Sequence, residues 1–383
     1  MRGHFLVQKY IQGPGILSEY GPFLPADAGS ILLLADRVVM PIVFERMKKS
    51  AAGAKLELLP FMFGGESSEE EIERVKKFSI EKRIWAIAGA GGGKALDTAR
   101  MVSYHLKIPM ISIPTIAATN AATSSLAGIY SEDHVYRYPV KIGKCPDLVL
   151  VDTEVIARAP VRYLVAGMGD GLSTVYEGRA MKAAGKKTVH GTDCNETCLT
   201  FSRLAHDTIL EKGYLAKIAS GNQTVSPALE DVVEAILFLS EAGAEGGGGT
   251  AVPHGLNAAL TILPEVREVY HGERVAFGIL VQLILENRSL EEILTLQRFF
   301  ARVGLPLTLK EIRIADGVRE KIQEVVRKAC EPGRYVHNMP FPISEACLFG
   351  AIMTADALGR EFLSGGNLAE KEVNVAEKMI GRR

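Results

Sequence analysis

The sequence predicts a doubly wound α/β protein: a mainly parallel sheet with helices on both faces, followed by an all-helical domain. Up to about residue 155, five short apolar runs alternate with helix-like segments, a pattern typical of such a sheet. After about residue 160 these runs stop, and long amphipathic stretches with a period near 3.6 follow. Because 383 residues are too many for one ordinary core, we predict two domains, 1–160 and 161–383, that meet at the break RAPVR, residues 158–162.

The elements follow from the apolar pattern in chain order. The predicted strands cover residues 30–35, 56–61, 84–88, 109–113 and 148–151, with helical segments at 69–77 and 93–105 between them. In the second half, helical periodicity covers residues 195–211, 226–240, 272–285, 290–303 and 343–362.

Composition excludes several classes of protein. Lys plus Arg total 44 against 45 for Asp plus Glu, so the basic surplus of a non-specific nucleic-acid binder is missing. The N-terminus lacks the apolar core of a secretory signal. The longest apolar run, 275–285, is interrupted by Gln282 and is far shorter than the ~20 residues of a membrane span. We therefore expect a cytoplasmic protein with no nucleic-acid and no membrane partner.

A glycine cluster follows the third predicted strand and opens a helix. Gly89, Gly91, Gly92, Gly93 and Lys94 lie in the turn GAGGGK. Glycines in such a turn let backbone amides approach a pyrophosphate, and the helix N-terminus adds partial positive charge. A tight turn that binds nothing is the alternative, and the motif alone does not decide between them.

Two further features follow strand ends. Asp36 comes directly after the first predicted strand, where a carboxylate can accept both ribose hydroxyls of NAD or can cap the next helix. From the residues alone, the cap is favoured. The loop at 114–125 is rich in small hydroxyl residues, and Thr115, Thr119 and Ser124 could donate to a phosphate or to the nicotinamide amide. A polar loop that caps itself explains the same residues equally well.

Asp170, His254 and His271 are candidate metal ligands. Two imidazoles and one carboxylate make a three-ligand catalytic site with an open position. The two histidines are too far apart in sequence to share one helical turn, so spacing does not fix their geometry. A capping or core role for each histidine therefore stays open at this point.

These motifs occur in the order found in the iron-containing alcohol dehydrogenase superfamily, and the chain most resembles its glycerol dehydrogenase branch. The resemblance is carried by the glycine loop, the hydroxyl-rich loop and the motifs MGDG, PHGLN and YHGERVA. It is supported by DLVLVDTE (147–154), GLPLTL (304–309) and VHNMPFPI (336–343), and it runs from near residue 5 to about 360. It implies a Rossmann-like N-terminal domain and a helical C-terminal domain of the dehydroquinate synthase-like fold, with the active site in the cleft between them.

The resemblance also implies the roles of individual residues. Asp170, His254 and His271 fall on the catalytic metal ligands, for zinc in most cases and for iron in others. Asp36 falls on the ribose carboxylate, and the pyrophosphate loop is formed by Gly91, Gly92, Gly93 and Lys94. We place the remaining NAD-binding positions at Asp97, Thr115, Thr119, Ser124, Leu126 and Tyr130. Relatives commonly form large homo-oligomers, so we expect one here.

The implied reaction is metal-dependent hydride transfer between NAD and a small polyol, interconverting a secondary hydroxyl and a ketone. Glycerol dehydrogenases usually have an Asp, which contacts the polyol, at the position of Asn120. The neutral amide relaxes repulsion against an anionic substrate, so a 2-oxo or 2-hydroxy carboxylic acid dehydrogenase is the alternative. Two other positions also depart from the family. Gly171 stands where Ala is usual, and Pro253 breaks the usual two-His pattern around His254. A dehydroquinate synthase-like lyase is less favoured, because such enzymes usually carry Glu at the position of Asp170.

Overall fold

A six-stranded parallel sheet forms the N-terminal half of the molecule. The computed structural model describes residues 1–25, 28–54, 56–133, 135–247 and 249–365. The strands are β1 (Tyr10–Gly13), β2 (Ile31–Ala35), β3 (Leu58–Met62), β4 (Ala86–Gly91), β5 (Met110–Pro114), β6 (Leu126–Tyr130), β7 (Tyr136–Lys141) and β8 (Leu148–Asp152). The sheet order is β1-β8-β5-β4-β2-β3, and β6 and β7 form a separate antiparallel hairpin.

The sheet is covered on both faces, as the sequence predicts. The α-helices of the N-terminal half are α1 (Val39–Gly53), α2 (Glu69–Glu81), α3 (Gly93–Leu106) and α4 (Thr153–Arg158). Alternate residues of β2 enter different cores: Ile31 and Leu33 pack with α1, whereas Leu32 and Leu34 pack with α2 and α3. Because both faces of this strand are buried, its sequence is continuously apolar.

After α4, every named element in the described part of the chain is helical. The α-helices are α5 (Val161–Ala183), α6 (Glu196–Gly221), α7 (Pro227–Glu234), α8 (Ser240–Gly247), α9 (Val252–Leu260), α10 (His271–Leu285), α11 (Leu290–Val303), α12 (Val318–Ala329) and α13 (Glu345–Leu363). A π-helical turn, Ala235–Leu239, joins α7 to α8. The largest core extends from Val149 and Val151 of β8 into these helices. The predicted fold class is confirmed, and the division into domains at residue 160 stays a prediction.

All five predicted strands are present, each within three residues of its expected bounds. The sequence did not reveal β1, β6 or β7, because β1 is short and only half-buried and the hairpin does not read as a continuous apolar run. Helix α5 was also missed, since the glycines of its MGDG segment resemble a loop. In the described ranges, no helix has both the length and the apolar character needed to cross a membrane.

Candidate active site

Asp170 and His271 come together because two helices touch backbone to backbone. Asp170 lies on α5 and His271 is the first residue of α10. A Cβ atom on Gly169 would lie 2.3 Å from the carbonyl oxygen of Gly272, and one on Gly272 would lie 1.8 Å from the carbonyl oxygen of Ala166. Neither glycine therefore leaves room for a side chain, and this close approach places the neighbouring carboxylate and imidazole in contact.

His254 reaches the same point from the first turn of α9. A Cβ atom on Gly278 of α10 would lie 2.6 Å from the Cα of Pro253, so α9 packs closely on α10. The Nε2 atoms of His254 and His271 lie 3.4 and 3.2 Å from Asp170 Oδ1. The structure thus brings the three predicted ligands together.

The residues present fit a divalent metal ion. One ligand atom from each of the three side chains lies within 4.8 Å of the others, and no other such group of His, Cys, Asp or Glu occurs in the described ranges. Asp170 is buried, yet its Oδ1 atom has no hydrogen-bond partner. A buried carboxylate oxygen without a donor is costly unless a cation binds it. Two nitrogen ligands and one oxygen ligand suit zinc, and also iron, cobalt or manganese.

A surplus of buried negative charge surrounds these ligands. Burial acts to raise the pKa of Asp170, but His271 and His254 outweigh it and hold that pKa well below its usual range. Burial acts to lower the pKa of His254, but Glu177 and Asp170 outweigh it and raise that pKa well above its usual value. Both shifts show that the site favours added positive charge.

Glu177 is the residue of this site that the sequence analysis missed. Its Oε2 atom lies 2.6 Å from His254 Nδ1, and its side chain is fully buried. It lies two helical turns after Asp170 on α5, and this spacing on one helix face was the only available signal. The first half of the chain also contacts the site, since the backbone N–H of Asn120 donates to Asp170 Oδ2 at 3.2 Å.

The predicted pyrophosphate loop has the shape of an anion site. Gly91 ends β4 with a φ of 145°, which favours glycine, and Gly92 precedes α3 without a side-chain cap. The first backbone amides of α3 therefore lack a side-chain acceptor, and the helix dipole adds positive potential. Lys94 Nζ lies 2.5 Å from Glu66 Oε2 and 5.0 Å from the centre of the Tyr130 ring. Burial raises the pKa of Tyr130 to about 12.

Asp36 caps α1, as the residues alone favoured. Its Oδ1 atom accepts hydrogen bonds from the backbone N–H groups of Val38 and Val39 at 2.7 and 2.9 Å. The side chain is half-buried at the carboxyl end of β2. Its contact with a ribose stays a prediction.

Asp97 holds the hydroxyl-rich loop through Arg100. The buried guanidinium of Arg100 donates to Asp97 Oδ1 and to the carbonyl oxygens of Ala121 and Leu126 at 2.5 to 2.7 Å. The Oδ2 atom of Asp97 accepts from the N–H of Gly128 at 3.0 Å. Burial raises the pKa of Asp97 to about 6, although Arg100 acts to lower it. Because both oxygens have partners, the geometry favours a loop-holding role, and direct cofactor contact by Asp97 stays a prediction.

The loop partly caps itself. Thr119 Oγ1 accepts from the N–H of Ala121 at 3.4 Å, and Ser124 Oγ accepts from the N–H of Leu126 at 3.0 Å. Thr115 is buried, and its N–H donates to the carbonyl oxygen of Gly91 at 3.2 Å. This hydrogen bond joins the hydroxyl-rich loop to the glycine loop. The carboxyl ends of β4 and β5 therefore bring the predicted cofactor residues of both loops to one edge of the sheet.

Comparison with known proteins agrees with this geometry. The family model described as iron-containing alcohol dehydrogenase matches residues 11–160. Glycerol dehydrogenase of Pseudomonas putida is 39% identical over 93% of this chain and 97% of its own length. The chain belongs to the iron-containing alcohol dehydrogenase family. Among solved structures of this family, a probable glycerol dehydrogenase from Sinorhizobium meliloti 1021 has a TM-score of 0.88 and 36% identity, and the match covers 94% of this chain and 100% of that chain.

The predicted glycerol dehydrogenase branch is confirmed, and the protein is an NAD-dependent, metal-binding alcohol dehydrogenase of this type. A more distant relative, hydroxycarboxylate dehydrogenase A of Escherichia coli, is 29% identical over 81% of this chain and 88% of its own length.

Proposed function

We propose that this enzyme oxidises a small polyol at a secondary hydroxyl, transferring hydride to NAD, and catalyses the reverse reduction of the ketone. The observation that carries the proposal is the convergence of Asp170, His254 and His271 beneath the loop that contains Asn120. Glycerol dehydrogenases that align over nearly the full chain support a polyol as the substrate class.

Asp170, His254 and His271 would hold the metal ion in this reaction. Bound there, a divalent cation supplies Lewis-acid stabilisation of negative charge on the substrate oxygen. The N-terminus of α3 binds the pyrophosphate of NAD, and the loop held by Arg100 lines the nicotinamide end. We infer that the hydroxyl proton leaves to solvent beside His271, whose side chain is 35% exposed, because the Asp170 carboxylate is only 1% exposed.

A 2-oxo acid is the less favoured substrate. Asn120 removes one negative charge from the loop, but the carboxylates of Asp170 and Glu177 remain buried nearby. Hydroxycarboxylate dehydrogenase A is also a more distant relative than the glycerol dehydrogenase of Pseudomonas putida.

The test follows NADH absorbance with the zinc-loaded protein. Glycerol, 1,2-propanediol and 2,3-butanediol are offered for oxidation, and a series of 2-oxo acids for reduction. We expect polyol turnover that a chelator abolishes and added zinc restores. Turnover with 2-oxo acids alone would overturn the proposed substrate class, and turnover that survives chelation would overturn the role of the metal.

Zinc as the resident ion, a homo-oligomeric assembly and a cytoplasmic location belong to the same proposal. Metal analysis of the protein as purified tests the first, and sedimentation velocity tests the second. Localisation of the tagged protein tests the third.

A further inference from the structure

Glu177 is a fully buried carboxylate that the proposed reaction does not use directly. It lies on α5 among apolar residues, and its residue exposure is 0%. Burying an ionised carboxylate is expensive unless several donors or a positive charge satisfy it. The position therefore needs a physical reason.

Within the described ranges, the side-chain hydrogen bonds of Glu177 go to the start of α9. Its Oε1 atom accepts from the backbone N–H groups of Ala251 and His254 at 2.6 and 3.2 Å. The N-cap residue of α9 is Ala251, which offers no side-chain acceptor to the free amides of the first turn. Glu177, on the neighbouring helix α5, therefore supplies the missing cap. The capped turn follows shortly after the four consecutive glycines at 246–249.

The other oxygen of Glu177 determines which nitrogen of His254 carries hydrogen. An ionised carboxylate only accepts hydrogen bonds, so a short contact of 2.6 Å to Nδ1 places the hydrogen on Nδ1. When the ring gives up its second proton, as a metal ligand must, its lone pair lies on Nε2, which faces Asp170 Oδ1. This is the nitrogen that the predicted metal site requires.

The charges also balance. Asp170 and Glu177 contribute two buried negative charges, and His254 and His271 are neutral when they act as ligands. A divalent cation brings the sum of the cluster to zero. Without Glu177, the same cation would leave one uncompensated positive charge in a buried site.

We propose that Glu177 is a positioning residue that fixes Nε2 of His254 as a metal ligand and completes the charge balance for a divalent ion. The inference rests on the metal site of the proposed function and deepens it. A cap that only stabilises α9 is the rival explanation, and metal binding distinguishes the two.

The experiment compares wild type with Glu177→Gln by titrating cobalt(II) into the metal-free protein. Both the affinity and the visible absorption spectrum of the bound ion are recorded. We expect the variant to bind cobalt about 10- to 100-fold more weakly, with a changed ligand-field spectrum. The matched control is Asp356→Asn, because Asp356 is also buried and accepts from a backbone N–H, that of Leu309 at 2.9 Å, but lies outside the metal cluster.

A double-mutant cycle protects the test against general loss of structure. If Glu177 acts through His254, Glu177→Gln should weaken cobalt binding by a smaller factor in a His254→Ala background than in wild type, and the loss that remains measures the contribution of charge balance. NADH binding to the metal-free variants, followed by fluorescence, should equal that of wild type. Wild-type cobalt affinity and spectrum in Glu177→Gln, or full additivity in the cycle, would overturn the inference. Failure of wild type itself to bind the ion would instead overturn the proposed function.

Discussion

Two clusters of buried carboxylates contact the hydroxyl-rich loop, and their buried charge is compensated in different ways. The metal cluster consists of Asp170, Glu177, His254 and His271. The acid pair consists of Glu241 and Glu245, which lie one turn apart on α8 beside Ser124, Ser125 and His190. Both clusters are nearly inaccessible to solvent at their carboxylates.

In the acid pair, protein donors satisfy the charge. Glu245 accepts from the N–H of Ser125 at 2.7 Å, from its hydroxyl at 2.5 Å and from the hydroxyl of Ser124, and it lies 3.3 Å from His190 Nε2. Burial acts to raise the pKa of Glu245, but His190 and the other donors lower it to about 2. Burial and the neighbouring Glu245 raise the pKa of Glu241 well above its usual value, which favours the protonated form of Glu241.

The difference is that the metal cluster leaves an oxygen without a donor. Asp170 Oδ1 has no hydrogen-bond partner, and two imidazole nitrogens converge on it. The number of carboxylates in a cluster therefore does not identify a cation site. Their unsatisfied oxygens, together with converging nitrogen lone pairs, do.

The largest expected difference between the clusters is in metal binding. Asp170→Asn should lose the bound ion on dialysis and reduce polyol turnover to background, because the predicted carboxylate ligand loses its charge. Glu245→Gln should keep the metal content of wild type, since its carboxylate is satisfied by hydroxyl and amide donors. Metal analysis after dialysis, combined with the NADH assay, measures both. Equal metal loss in the two variants would remove the distinction between the clusters.

A smaller effect, on stability, should depend on pH. The folded-state pKa of Glu245 is lowered, so its contribution to stability is present above about pH 4.5 and is lost as the pH falls towards 2. Glu241, with its raised pKa, acts in the opposite direction above pH 4.5. We therefore expect Glu245→Gln to reduce the free energy of unfolding at pH 7 by about 1 to 3 kcal/mol, and by less at pH 3.5. Urea unfolding at both pH values measures the gap, and a gap that does not change with pH would contradict this account.

The smallest expected effect concerns the loop that joins the two clusters. Asn120 donates through its backbone to Asp170, while Ser124 of the same loop donates to Glu245. Asn120→Asp adds an acceptor-only group beside the metal cluster, so it should raise polyol oxidation relative to 2-oxo acid reduction by several-fold. The ratio of kcat/KM values measures this, with Asn222→Asp at an exposed site as the control. An unchanged ratio would exclude Asn120 from substrate selection.

The sequence predicted the architecture because buried parallel strands and amphipathic helices leave strong periodic patterns. It did not predict the metal cluster from spacing, since Asp170, His254 and His271 lie on three different helices. Only the resemblance to a family assembled them. Glu177 was not predicted, because the glycines of MGDG made its helix, α5, resemble a loop.

The cofactor residues show a second limit. Asp97 lies in the helix that follows the glycine loop, as predicted, but its carboxylate binds Arg100 and the N–H of Gly128. Which way its side chain points depends on tertiary packing, so the sequence did not predict it. For Asp36, by contrast, the cap was predictable because it involves only its immediate neighbours in the chain. Local hydrogen bonds can be read from sequence, whereas partners distant along the chain cannot.

The backbone contact between α5 and α10 has a consequence for how this enzyme can change. Asp170 and His271 are carried by helices that already meet at Gly169 and Gly272, so their separation is fixed by main-chain atoms rather than by adaptable side chains. Mutations in the hydroxyl-rich loop can reshape the surface that faces the substrate, but they do not change the distance between these two ligands. Changes in substrate range should therefore accumulate around residues 115–125. The packing of α5 on α10, and with it the distance between Asp170 and His271, should stay the same.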